Sequence, residues 1–227
     1  MIKLIVFDWD DVFTLGSKEG YFHCYHETLV ELGIHLEPEE ERRRILSKWS
    51  KPHKEELKEL LKEHPELVEK ACAIYEEKLF GGVFVNELSL LEGSLQLLNK
   101  LKQKYILAVA TGVNPIIFRD EVIPKFKVPN VFSQILFTYE IDDPEKHKPH
   151  PFMLQEIMIT QKVTPGETIF VGDAKTDVQT ALAADVMPVV VLTGHLNKEQ
   201  AQELNVKYII DDVTRLEEVL SQIDKET

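Results

Sequence analysis

The chain has 227 residues, 44% of them apolar and 29% charged, and its 26 basic and 39 acidic residues leave a formal charge of −13. That size and balance fit an ordinary globular protein, either one large domain or a core with a smaller insertion. The acidic excess argues against nucleic acid or an anionic membrane as a partner, since clustered Lys and Arg hold both. It also opposes an anionic small substrate, unless a metal or a local cation reverses the field.

The first element reads as a buried strand: Ile2, Leu4, Ile5, Val6 and Phe7 form an apolar, β-branched run. No charged leader with a long apolar stretch and a cleavage site precedes it, so no signal peptide is expected. No apolar run reaches ~18 residues, so no membrane span is expected, and the location expected is the cytoplasm. Residues 18–84 are helical in character, with apolar residues three and four apart in ETLVELGIHL, EPEEERRRILSKW, KEELKELLKEH and PELVEKACAIYEEKLF. Pro65 suits a helix start and Gly33 a stop. The stretch GGVFV, from Gly81, reads as the exit from this block. The block holds both cysteines, Cys24 and Cys72, which are too few for a disulfide framework and fit a reducing compartment.

From residue 88 short apolar runs alternate with amphipathic segments. Strands are expected at YILAVAT, FSQILFT, TIFVGD, PVVVLTG and VKYII. Helices are expected at SLQLLNKLKQK, NPIIFRDEVIPKF, PHPFMLQEIMITQ, KTDVQTALAAD, NKEQAQELN and DVTRLEEVLSQI. Such alternation with short joints implies a parallel sheet covered on both faces. The fold class is therefore α/β, a three-layer core with an inserted helical domain. The expected boundaries are 1–16 and 86–227 for the core and 17–85 for the insertion. Oligomeric state is not legible in the sequence.

Open parallel sheets bind ligands beyond the carboxyl ends of their strands. The first strand is followed there by Asp8-Trp9-Asp10, the second by Thr111 and Gly112. The loop after ILFT carries Lys148 within KPHP, and TIFV leads into Gly172-Asp173-Ala174-Lys175-Thr176-Asp177. Each alone reads as a capping acid or a solvated lysine. Together they fit phosphoryl transfer. Asp8 can be the nucleophile that forms an aspartyl-phosphate, and Asp10 the acid and then the base. Asp8 and Asp173 can supply carboxylates to Mg²⁺, with Asp177, one helical turn on, holding a metal-bound water. Thr111 and the Gly112 amide can bind phosphoryl oxygens, with Lys148 balancing their charge. A bound cation also accounts for acids crowded at one strand end.

These four motifs resemble those of the haloacid dehalogenase superfamily of phosphohydrolases, from Ile2 to about Asp211. The helical block resembles the cap of the phosphoglycolate phosphatase and β-phosphoglucomutase branch, and KPHP stands where that branch shows KPxP. The resemblance implies a Rossmann-like core, Mg²⁺ dependence, a backbone carbonyl of Asp10 on the metal, and a small phosphorylated metabolite as substrate. The chain departs from the usual DxDGTL at Asp11, Val12 and Phe13, and Ala174 stands where Ser is commoner. Asp can replace Gly in a turn because it tolerates left-handed backbone. The second acid, Asp10, favours phosphate ester cleavage over carbon–halogen cleavage.

Other features read as structural. Ser47-Lys48-Trp49-Ser50-Lys51 is an ordinary helix connection before it is a substrate contact; Tyr21, His23 and His26 are first a packed helix face; His147 and His150 are loop residues. Rival readings are a β-phosphoglucomutase-like phosphomutase, a receiver-like phospho-acceptor, and a catalytically silent binder. The acids at 173 and 177 speak against the receiver.

Overall fold

A computed structural model describes residues 1–49 and 52–226. Its residues group into two compact units, Met1–Leu15 with Leu90–Thr227, and Gly16–Ser89.

The first unit is built on a parallel sheet. Its strands are β1 (Leu4–Phe7), β4 (Ile106–Thr111), β5 (Gln134–Phe137), β6 (Thr168–Gly172), β7 (Met187–Val191) and β8 (Tyr208–Ile210), while β2 (Thr14–Leu15) and β3 (Ser89–Leu90) form a separate short ribbon. The order is β5-β4-β1-β6-β7-β8, so β1 lies centrally and the chain switches direction across it. Strand β1 pairs in register with both neighbours: Phe7 lies opposite Val109 and opposite Val171. All four residues of β1 are buried, as a sheet covered on both faces requires. On one face Leu4, Val6, Ala108, Ala110 and Phe170 pack against Met153, Leu154 and Ile157 of a helix at Phe152–Gln161 and Ala181 of one at Lys175–Ala183. Helices at Ser94–Leu101, Lys198–Glu203 and Leu216–Glu226 complete the layers. This is the doubly covered α/β architecture expected from the strand–helix alternation.

One expected helix takes a different form. NPIIFRDEVIPKF contains a π-helical turn at Ile117–Val122, followed by a short α-helix at Ile123–Phe126. Pro124 has no N–H for the helical ladder, and the wider turn accommodates it.

The second unit is helical. Its helices are α1 (Ser17–Glu31), α2 (Pro38–Ser47), α3 (His53–Leu60), α4 (Val68–Phe80) and α5 (Val83–Glu87). Pro38 opens α2, three glutamates fill its first turn and Arg44 stands in its last, an arrangement that suits the helix dipole. Gly33 follows α1 with a φ of 71°, and Pro65 opens a 3-10 turn ahead of α4. The stretch from Gly81 does not leave the helical block. Gly82, at φ 91°, starts α5, which packs on α1, where a Cβ at Gly20 would lie 2.8 Å from the Phe84 ring. Ser50 and Lys51 lie outside the described residues. Among the described residues, no helix is long and apolar enough to cross a membrane.

Candidate active site

The sheet register gathers the strand-end residues. Asp8 N donates to Val171 O at 2.8 Å, carrying the ladder one residue past β1. Thr111 is the last residue of β4, and Asp173 follows the last residue of β6. All three therefore stand at the carboxyl edge, on either side of the central strand. The chain then turns back sharply: Asp11 takes a φ of 54°, its N–H donates to Thr14 O at 2.6 Å, and Phe13 N donates to Trp9 O at 2.9 Å. Asp11 fills the place of a left-handed glycine, as Asp can. Trp9 is fully buried against Phe13 and Phe118, with ring centroids 5.0 and 4.8 Å away, so the Asp8–Asp10 segment rests on a rigid aromatic floor.

Lys148 ties the carboxylates together. Its Nζ donates to Asp8 Oδ2 and to Asp177 Oδ1, each at 2.8 Å, and lies over the Phe170 ring, 5.5 Å from its centroid. The other oxygen of Asp8 accepts from Trp9 N at 2.7 Å, and the other oxygen of Asp177 from Ala174 N at 3.0 Å. Both side chains are thus held at two points. One oxygen from each of Asp8, Asp173 and Asp177 lies within 4.8 Å of the others, a set of hard donors that can hold a divalent cation. A second such group joins Asp11, Asp173 and His195.

The site carries more negative charge than Lys148 neutralises. Burial pushes Asp10 well above the usual carboxylate range, and the charges of Asp8, Asp11 and Asp173 push it further, against a hydrogen bond from Thr14 Oγ1 at 3.4 Å. Burial also raises Asp177 to about 7, opposed by Lys148 and reinforced by Asp8 and Asp173. Burial alone would lower Lys148, but Asp177 and Asp8 outweigh it and hold the ammonium protonated.

Asp8, Lys148, Asp173 and Asp177 converge directly, and Asp10 feels the charges of Asp8 and Asp173. Thr111 sits at the same edge but is fully buried; its Oγ1 accepts from Val113 N at 3.2 Å and its carbonyl from Thr138 Oγ1 at 3.2 Å. Gly112 follows it, exposed. The histidines beside Lys148 shape its loop: His147 Nε2 bonds Ile141 O at 2.9 Å, and Phe152 N donates to His150 Nδ1 at 3.2 Å. Within the helical unit, His23 pairs with Glu87 at 2.8 Å and His26 with Glu41 at 3.1 Å, while Tyr21 lies against Phe84 and Trp49.

Two close approaches escaped the sequence reading. A Cβ at Gly172 would lie 2.5 Å from Asp177 Cβ, so only glycine lets Asp177 turn inward there. The segment Thr193–Leu196 reaches Asp173: His195 N and Nδ1 lie 2.9 and 2.8 Å from Asp173 Oδ2. Its partner in the fold gave the only available signal: PVVV pairs beside TIFVG, with Gly172 opposite Val190, so residues just past 191 must end near Asp173.

A profile of the family described as haloacid dehalogenase-like hydrolase matches residues 5–191. The chain belongs to the haloacid dehalogenase-like hydrolases. Among curated proteins, a phosphoglycolate phosphatase from Pseudomonas putida is 32% identical over 115 residues, covering 51% of this chain and 41% of that protein. The aligned region thus spans less than half of that relative's length. Among solved structures, a haloacid dehalogenase-like hydrolase from Streptococcus pneumoniae superposes with a TM-score of 0.74 at 20% identity, covering 98% of each chain. A subfamily IA hydrolase of the same superfamily from Geobacter sulfurreducens gives 0.75 at 24% identity, covering 96% of each chain. These two share the fold of this hydrolase family member.

Proposed function

We propose that the protein is a Mg²⁺-dependent phosphatase that cleaves a small phosphomonoester in the cytoplasm through an aspartyl-phosphate. The observation that carries this reading is the convergence of Asp8, Asp173 and Asp177 within 4.8 Å, with Lys148 bridging two of them. The likeness to a phosphoglycolate phosphatase over half the chain supports the same chemistry.

In this reading an Asp8 oxygen attacks phosphorus as the ester P–O bond breaks, and Asp10 gives its proton to the departing oxygen. The high proton affinity of Asp10 suits that step, because the group must arrive protonated. Asp10 then takes a proton from the water that cleaves the aspartyl-phosphate and frees phosphate. Asp8, Asp173, Asp177 and the Asp10 carbonyl would hold Mg²⁺, whose oxygen-only donor set fits a hard cation better than a softer metal. Bound there, the ion supplies charge stabilisation to the phosphoryl oxygens. Lys148 adds to that stabilisation and keeps Asp8 oriented, while Thr111 and the Gly112 amide bind the transferred group. The helical insertion, residues 17–85, is the part we assign to substrate selection.

The test is phosphate release from an aryl phosphate and from phosphoglycolate, with Mg²⁺ and with chelator, for wild type and Asp8→Asn. Activity that needs both the metal and Asp8 is expected. Equal activity in Asp8→Asn would remove the aspartyl-phosphate route, and sugar-phosphate isomerisation without net phosphate release would make the protein a mutase.

A further inference from the structure

Asp173 is gripped by a segment that belongs to none of the four strand-end motifs. His195 N donates to Asp173 Oδ2 at 2.9 Å, and His195 Nδ1 lies 2.8 Å from the same oxygen. Leu196 N donates to the Asp173 carbonyl at 3.0 Å. Consecutive residues thus hold both the main chain and the side chain of one aspartate. The approach depends on Gly194, since a Cβ there would lie 2.0 Å from Asp173 Oδ2. Thr193 anchors the segment on the other side by donating to the Asp11 carbonyl. Asp173 itself is almost wholly buried. A carboxylate oxygen accepts hydrogen bonds, so the contact is complementary to the imidazole tautomer that carries its proton on Nδ1.

Two donors on one carboxylate oxygen fix the side chain's rotamer and leave its other oxygen in a set orientation. Partners of this kind behind a metal ligand typically change metal affinity about 10–100-fold when removed. We propose that His195 is a positioning residue for Asp173, holding that carboxylate ready for the divalent cation through the Nδ1–H···Oδ2 bond. The proposal rests on the metal-site reading above and extends it to a residue 22 positions further along the chain.

The experiment is calorimetric titration of the full chain with MgCl₂ and with MnCl₂. It compares wild type, Asp173→Asn, His195→Ala, His195→Asn and His195→Gln, with melting temperatures in chelator measured alongside. The Asn amide places an N–H near the Nδ1 position, whereas Gln carries it past that point. The expected result is binding about 10–100-fold weaker in the Ala and Gln variants. Near wild-type affinity is expected for Asn, with closely similar melting temperatures in chelator for all three. Should Ala fail to fold, the Asn–Gln contrast carries the same test. Unchanged affinity in Ala or Gln, or Asn as weak as Gln, overturns the positioning role. A drop in melting temperature in chelator with unchanged affinity also overturns it, by making His195 a merely structural residue. Absence of saturable binding by wild type, or wild-type affinity in Asp173→Asn, is a different failure: it removes the metal site itself.

Discussion

Each unit buries charge, and the two do so in opposite ways. At the sheet edge Asp8, Asp10, Asp11, Asp173 and Asp177 lie together, Lys148 pairs with Asp8 and Asp177, and burial raises Asp10 and Asp177. In the helical unit the buried guanidinium of Arg44 donates to Glu40, to Glu63 at two points and to the Leu60 carbonyl, while the buried Glu56 accepts from Tyr25. Each Arg44 donor in that network meets an acceptor, and the two carboxylates among them, Glu40 and Glu63, reach solvent. A balanced cluster holds helices together. An unbalanced one at the carboxyl end of parallel strands is held in place by the rest of the fold at a cost in stability.

The sharpest way to break the contrast is to remove charge from the unbalanced side. Asp10→Asn should lower turnover about 10²–10⁴-fold, as loss of a general acid–base does. It should leave the circular dichroism spectrum unchanged and raise the melting temperature at neutral pH, because Asn removes the cost that burial and the neighbouring acids place on the Asp10 carboxyl. A fully active Asp10→Asn enzyme would contradict the acid–base role. Next comes geometry. Gly172→Ala places a Cβ 2.5 Å from Asp177 Cβ, which must displace that side chain from Lys148. Misplacement on the scale of an ångström costs about 10²-fold. Turnover measured beside denaturant unfolding separates lost alignment from lost folding, and a fully active variant would show that Asp177 need not sit where it does.

How much of this could be read beforehand follows from sequence distance. Asp8 and Asp10 are local to one strand end, and parallel pairing must bring the ends of β4 and β6 beside them, so the cluster was legible once the strands were. The left-handed turn at Asp11 was legible for a local reason, the tolerance of Asp for that backbone. His195 was not, because it stands just after the expected strand PVVVLTG with no motif to mark it, and its contact with Asp173 comes from the β6–β7 register. The fully buried Thr111 was legible as a strand-end hydroxyl, but not the Val113 and Thr138 bonds that occupy it. In the helical unit, apolar spacing marked residues 27–36, whereas α1 spans Ser17–Glu31. Its buried face is built from Gly20, Phe22, Cys24 and Tyr25, small and aromatic residues that do not stand out as an apolar period.

In the helical unit, the buried Glu56 gives a pH test. Burial raises its carboxyl from the usual 4.5 to about 7, against the hydrogen bond from Tyr25. The folded protein therefore holds a proton between those values that the unfolded chain releases. Stability from this group is greatest below pH 4.5 and is lost as pH rises toward and through 7. The swing is at most about 3 kcal/mol, from the free-energy equivalent of the shift. Glu56→Gln keeps the polar partner for Tyr25 and removes the titration. Urea unfolding of the helical unit, followed between pH 4.5 and 7.5, should be visibly flatter in Glu56→Gln than in wild type. Parallel curves would show that Glu56 is charged throughout.

The smallest expected effect lies in the geometry of the Arg44 fork. Arg44→Lys keeps the charge but replaces a planar group that bonds both Glu63 oxygens, at 2.6 and 2.9 Å, with a single ammonium. Glu63 and Glu40 both reach solvent, so neither is stranded as a buried, unpaired charge, and the loss stays near that of one or two hydrogen bonds, about 1–2 kcal/mol. A double-mutant cycle with Glu63→Gln isolates the pair. If the two changes are additive, the fork contributes nothing beyond its charge. If they couple by about 1 kcal/mol, directional bonding holds α2 to the end of α3, as the Leu60 carbonyl bond at 2.9 Å implies. Phosphate release should be the same in wild type and Arg44→Lys once both are fully folded, because a balanced cluster contributes to stability and not to the chemistry at the sheet edge.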